Sequence, residues 1–201
     1  MDKVSTMRAA MPVSHHQFWL VDDDRLPRPS GAPGNGLVLP GAPGTAVIYT
    51  GIHTGVVGLT VDARDAAPAE VELDGWDEVV EVSLTVPAGR LRAVPPMADG
   101  PSLPPLTAAA GDHRLRVHAR GRDTAVDGVT REPEEEYLIV AWPAPAAPER
   151  VYLVSDEYGA SLRRAAGATP ADPAARRPAT RADDPNRSAL DARLRRARGD
   201  R

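Results

Sequence analysis

EVVEVSLTV, residues 78–86, places Val80, Val82, Leu84 and Val86 on one face and Glu81, Ser83 and Thr85 on the other. A period of two is the mark of a half-buried β-strand, because successive side chains leave a strand on opposite sides. The pattern recurs. VGLTVDA (57–63) sets Val57, Leu59 and Val61 against Gly58, Thr60 and Asp62. AEVEL (69–73) sets Val71 and Leu73 against Glu70 and Glu72, and HRLRVHAR (113–120) sets Leu115, Val117 and Ala119 against Arg114, Arg116, His118 and Arg120. TAVIYT (45–50) and EYLIVAW (136–142) are more evenly apolar, as central strands are.

Between these runs lie RPSGAPGNG, PGAPG, DGW, PAG and PPMADGPSLPP. Such clusters supply the backbone angles that turns need. With 21 prolines and 17 glycines in 201 residues, the chain suits short strands with frequent turns. The reading predicts an all-β fold: an antiparallel two-sheet β-sandwich of seven or eight strands. Val80, Val82, Leu84, Leu115 and Val117 are expected in one core. Residues 1–11 are expected to be a flexible N-terminus, 12–162 the β-sandwich domain, and 163–201 a disordered tail. The tail is rich in Pro, Ala and Arg and offers little to bury.

The net charge of −4 conceals two opposed halves. Residues 163–201 carry 11 arginines and five acids, giving +6, while residues 1–162 carry 13 bases and 23 acids, giving −10. An acidic body disfavours direct nucleic-acid binding and favours a basic protein partner. There is no cysteine, which excludes disulfides and thiolate metal sites. No stretch has the apolar length of a secretory signal or a membrane span, and the expected location is cytoplasmic.

Catalytic grammar is sparse. His15 and His16 are adjacent and would point to opposite faces of a strand, so a shared metal is not expected. His53 stands alone in TGIHTG, a sequence expected to turn. Neither DDD (22–24) nor EPEEE (132–136) has the alternating acids of a calcium loop. No nucleophile elbow, P-loop or dinucleotide fingerprint occurs. No metal and no cofactor is implied.

The stretch SHHQFWLVD, through Ser14, His16, Gln17 and Phe18, resembles the opening of the competence protein J family, small bacterial inhibitors of a DNA-entry nuclease. GDHRLRV is similar to a strand of that family, with Gly111 and Asp112 in place and His113 where the family has tyrosine. TAVIYTGIHTGVVGLTVDARD, GWDEVVEVSLTVPAG and EYLIVAWP look like further strands, so the likeness spans residues 12–143. The basic tail departs from the family. The resemblance implies a non-catalytic inhibitor of a DNA-entry or toxin nuclease, an immunity-like role resting on protein–protein interaction. Candidate partner-binding residues are the densest acids: Asp22, Asp23, Asp24, Glu134, Glu135 and Glu136. Two other readings stand beside it. One is a carbohydrate-type ligand-binding module using Trp19, Trp76 or Trp142. The other is an enzyme pairing His15 or His16 with Asp22.

Overall fold

A computed structural model describes residues 5–23, 26–97, 100–101 and 103–168. In chain order the strands are β1 (Ser5–Ser14), β2 (Gln17–Val21), β3 (Val38–Pro40), β4 (Thr45–Tyr49), β5 (Thr54–Ala63), β6 (Glu78–Val86), β7 (Arg92–Val94), β8 (Gly111–Arg120), β9 (Val129–Thr130), β10 (Glu136–Pro143) and β11 (Arg150–Val154). One helix, α1 (Glu157–Ala168), follows. The larger sheet runs β1-β5-β10-β8-β6-β11, with β9 beside β5, and the smaller runs β3-β4-β2-β7. Among the described residues no helix is long and apolar enough to cross a membrane.

The alternating faces converge as their sequence predicts. Val80, Val82 and Leu84 of β6 lie opposite Val117, Leu115 and His113 of β8. All five residues expected in the core are buried in one cluster, which Leu59, Ile139, Phe18, Leu20 and Ile48 join. That cluster draws on both sheets and is the layer between them.

Several expectations need correction. The fold is mostly β, but it is not an antiparallel sandwich. β10 pairs with β5 in parallel, Tyr137 opposite Leu59 and Ile139 opposite Val61, and β9 also runs parallel to β5. Alternation reports which face is buried and carries no information on strand direction, so the mixed sheet was not readable from it. The N-terminus expected to be flexible is a strand from Ser5: β1 pairs with β5 along its whole length, and Met11 and Val13 are buried. AEVEL forms no strand. It lies over the outer face of the larger sheet, where Asp62, Arg116 and His118 stand among Leu138 and Val140. The segment expected to be disordered begins inside α1; residues 169–201 lie outside the described residues.

The basic face of β8 is not a solvated stripe. Arg114 and Arg116 are buried and converge on Glu81, with Arg114 Nη2–Oε1 at 2.8 Å and Arg116 Nη2–Oε2 at 2.9 Å. The Tyr152 hydroxyl donates to the same carboxylate at 3.2 Å. Burial alone would raise the Glu81 carboxyl, but the two guanidiniums bring it below its ordinary value.

Two outcomes follow. Leu115, fully buried, should lose about 2–5 kcal/mol on replacement by alanine, read as a lowered midpoint in urea. Glu81 has a depressed folded pKa, so its stabilisation is complete above the unfolded value near ~4.3 and is lost as pH falls through the folded one. The stability gap between wild type and Glu81→Gln should therefore narrow on acidification through that window. A gap constant from pH 6 to pH 3 would remove this role.

Candidate functional site

The stretch SHHQF is a corner between the two sheets and not a continuous strand. β1 ends at Ser14 in the larger sheet and β2 begins at Gln17 in the smaller. His15 and His16 make the crossing in the left-handed region, at φ 55° and 60°. Side chains with a Cβ seldom adopt that conformation, and where they do the surroundings hold them there. The other non-glycine residue of this kind among the described residues is Asp127, at φ 59°. It meets His16 directly: Asp127 Oδ1 is 3.0 Å from His16 Nε2, an ion pair when the ring is protonated.

Three segments are stapled here through the backbone. His16 N donates to the His53 carbonyl at 3.1 Å, and Thr50 N donates to the His16 carbonyl at 2.9 Å. Asp127 N donates to the Gly51 carbonyl at 3.0 Å, and His53 N donates to that of Gly128 at 2.9 Å. His16 Nδ1 lies 3.2 and 3.1 Å from the Thr50 and Gly51 carbonyls. The rings gather: His53 is 5.2 Å from His15 and 5.0 Å from His16, and Tyr158 of α1 stacks on His16 at 5.7 Å.

Beneath the corner lies a buried polar network. Arg122 is 0% exposed. Its Nε and Nη2 clamp Asp156 at 2.6 and 2.9 Å, and its Nη1 donates to the Gly36 carbonyl at 2.9 Å. Asp156 also caps α1, accepting from Gly159 N at 2.7 Å, while Asp123 accepts from Glu157 N and Tyr158 N. Glu135 accepts from Gly51 N at 3.1 Å, Ile52 N at 2.6 Å and the Tyr137 hydroxyl at 2.6 Å. Burial pushes the Glu135 carboxyl up, and these three donors pull it only part of the way back. Gly51 is required by close approach, because a Cβ there would fall on the Arg122 carbonyl.

The predicted acids do not form one surface. Asp22 is buried at the other end of β2, about 20 Å from the corner at strand rise. Its carboxylate accepts from the Ala88 and Arg90 amides, so it holds a turn. Asp23 is exposed near Arg90, and Asp24 lies outside the described residues. Glu135 is buried in the network, Glu136 pairs with Arg8, and Glu134 is exposed. Ser14, His16 and Gln17 sit at the corner, whereas Phe18 is core. Gly111, Asp112 and His113 begin β8 at the far end, where Asp112 accepts from the Thr85 hydroxyl at 2.7 Å.

The two other readings lose their geometry. Asp22 cannot reach either histidine; the acid that meets His16 is Asp127. Trp142 is buried under Arg116, Trp76 packs between His118 and Arg120, and Trp19 is half-buried with its Nε1 unpartnered. Those placements provide no open stacking platform. Among the described residues no group of three or more His, Asp or Glu side chains is arranged to hold a metal ion. At the corner His15, Asp127 and Glu134 are exposed, with Val126 46% and Val129 75% exposed beside them. Sequence reading missed Arg122, Asp127 and Asp156, single charged residues whose partners are 34 to 111 positions away.

Replacing Arg122 by Met should strand Asp156 in the interior, while Glu78 keeps Arg163, and lower stability by about 3–5 kcal/mol. Adding Asp156→Asn should restore part of the loss. A single variant as stable as wild type in urea would show the clamp to be dispensable.

No family model and no curated protein matches the chain. Two solved structures are similar. ComJ of Bacillus subtilis, described as an inhibitor of the DNA degrading activity of NucA, has 15% identity, a TM-score of 0.50, and coverage of 72% of this chain and 99% of its own. A structure described as Crocagin biosynthetic gene J has 16% identity and a TM-score of 0.40, with the same coverage of both chains. At such identity the likeness is one of architecture: the chain has a ComJ-like fold.

Proposed function

We propose that this chain is a non-catalytic, inhibitor-type binding module whose partner is a nuclease, and that it engages that partner through the histidine corner. The observation that carries the reading is the convergence of all three left-handed non-glycine residues among the described residues, His15, His16 and Asp127, on one exposed corner of a ComJ-like fold. Strain held in place by a buried network is the signature of a surface kept in a fixed shape for recognition. The segment 121–134 adds exposed Asp123, Asp127, Glu132 and Glu134 against exposed Arg131. That corner belongs to a body of charge −10.

A nuclease that grips phosphates carries a basic site, and an acidic surface is complementary to it. Charge attraction raises the association rate and fades as salt shortens the screening length to about 8 Å at 0.15 M. Val126 and Val129 supply the apolar contact that charge alone does not. Asp22 and Glu135 serve the fold in this reading, and Asp23 lies too far from the corner to share its contact.

The test mixes the full chain with the nuclease encoded nearest to its gene and follows DNA cleavage at low and high salt. Excess protein should slow cleavage at low salt, and less so at high salt. Asp127→Asn with Glu134→Gln should weaken inhibition about tenfold or more while leaving the urea midpoint little changed. Cleavage unaffected by excess protein at low salt would rule out inhibition of that enzyme. Inhibition untouched by the double variant would move the interface away from the corner.

A further inference from the structure

The outer face of the larger sheet carries a cleft of about 900 Å³, separate from the histidine corner. Its floor is Thr60 and Asp62 of β5, Leu138 and Val140 of β10, and Arg116 and His118 of β8. Its wall is the stretch 68–74, the run whose alternation predicted a strand, which brings Glu70, Val71, Glu72, Leu73 and Asp74 over the sheet. The volume lies in the range of small-molecule sites.

Two buried polar atoms in this cleft lack a partner. Asp62 is 5% exposed; Arg64 takes its Oδ2 through Nε at 2.9 Å and Nη2 at 2.7 Å, but Oδ1 accepts nothing. His118 is 1% exposed, and its Nε2 makes no hydrogen bond. Burial lowers the His118 pKa and Arg116 acts in the same direction, while the Leu138 and Glu72 backbones and the Glu72 charge act against them. Its Nδ1 lies 3.4 Å from the Leu138 carbonyl. Buried polar atoms are almost always paired, and an unpaired one is expensive to leave so. Asp62 Oδ1 can only accept, and it asks for a donor.

The charge around them has one sign to spare. Arg64 is engaged by Asp62. Arg116 is held by Glu81 and by the Glu70 carbonyl at 3.2 Å. Asp62, Glu70, Glu72 and Asp74 thus outnumber the guanidiniums of the lining, while Val71, Leu73, Leu138 and Val140 offer apolar walls. We propose that this cleft binds a small organic cation, an amine or guanidine on a short apolar chain, with an N–H group directed to Asp62 Oδ1. The proposal does not depend on the nuclease reading.

The experiment titrates the full-length protein, followed by amide and imidazole NMR, with agmatine and spermidine as probes and N-butylurea as an uncharged control. A doubly blocked Gly-Arg-Gly peptide separates a free cation from an arginine side chain. Saturable shifts at Thr60, Asp62, His118 and Leu138 with a cationic probe, and none with N-butylurea, are expected. Asp62→Asn should weaken binding about tenfold or more. Thr60→Trp, which fills the cleft while keeping the ion pair, should abolish it and covers the case in which Asp62→Asn fails to fold. The proposal falls if neither cation shifts these residues at millimolar concentration, if N-butylurea binds equally, or if shifts map elsewhere. Binding by the blocked peptide alone would overturn the assignment to a free small molecule.

Discussion

The Arg122 guanidinium is the point at which the separate parts of this fold meet. It is fully buried, and each edge of its plane faces a different element. Asp156 belongs to the start of α1, the Gly36 carbonyl to the loop entering the smaller sheet, and Glu78, 4.0 Å away, to the first residue of β6. Arg163, reaching back from α1, gives Glu78 a second cation at 3.0 Å. A planar donor set fixes angles as well as distances, which an apolar contact does not. Two sheets joined mainly by aliphatic packing could slide; a buried fork with three addressees holds the helix, the loop and the larger sheet in one arrangement. The histidine corner, where two adjacent residues keep an unfavourable φ, is built beside that arrangement.

Much of the core was legible from the alternation alone. EVVEVSLTV and HRLRVHAR bury the faces their spacing marks, and the two strands are neighbours. Three things were not legible, each for a physical reason. Strand direction leaves no trace in period two, so the parallel pairing of β5 with β10 was hidden. β1 is written in RAAMPV, where small residues and Pro12 mask a weak alternation of Ala9, Met11 and Val13. The outer face of β8 reads as a solvated basic strip because its compensating carboxylate, Glu81, lies on another strand.

The site was legible only in part. SHHQF marked the right place, yet the reason for its importance is the turn at His15–His16 and not a strand. The acidic runs misled because density of charge along the chain is not density in space. β2 separates Asp22 from the corner, and Glu135 points inward while its neighbour Glu134 points out. Asp127, which gives His16 its carboxylate, is a lone acid in a short loop; nothing in its local sequence distinguishes it from a solvated turn residue.

The position of β5 also has a consequence for synthesis. β5 is flanked on one side by β1, which precedes it in the chain, and on the other by β10, which begins only at Glu136. At about 5–20 residues per second, β5 waits roughly 4–15 s before its second neighbour has emerged. Through that interval a ten-residue strand bearing Val57, Leu59 and Val61 offers an unpaired edge. Between β5 and β10 the nascent chain therefore carries a long apolar strand with one edge open to wrong partners, and the arrival of β10 closes it.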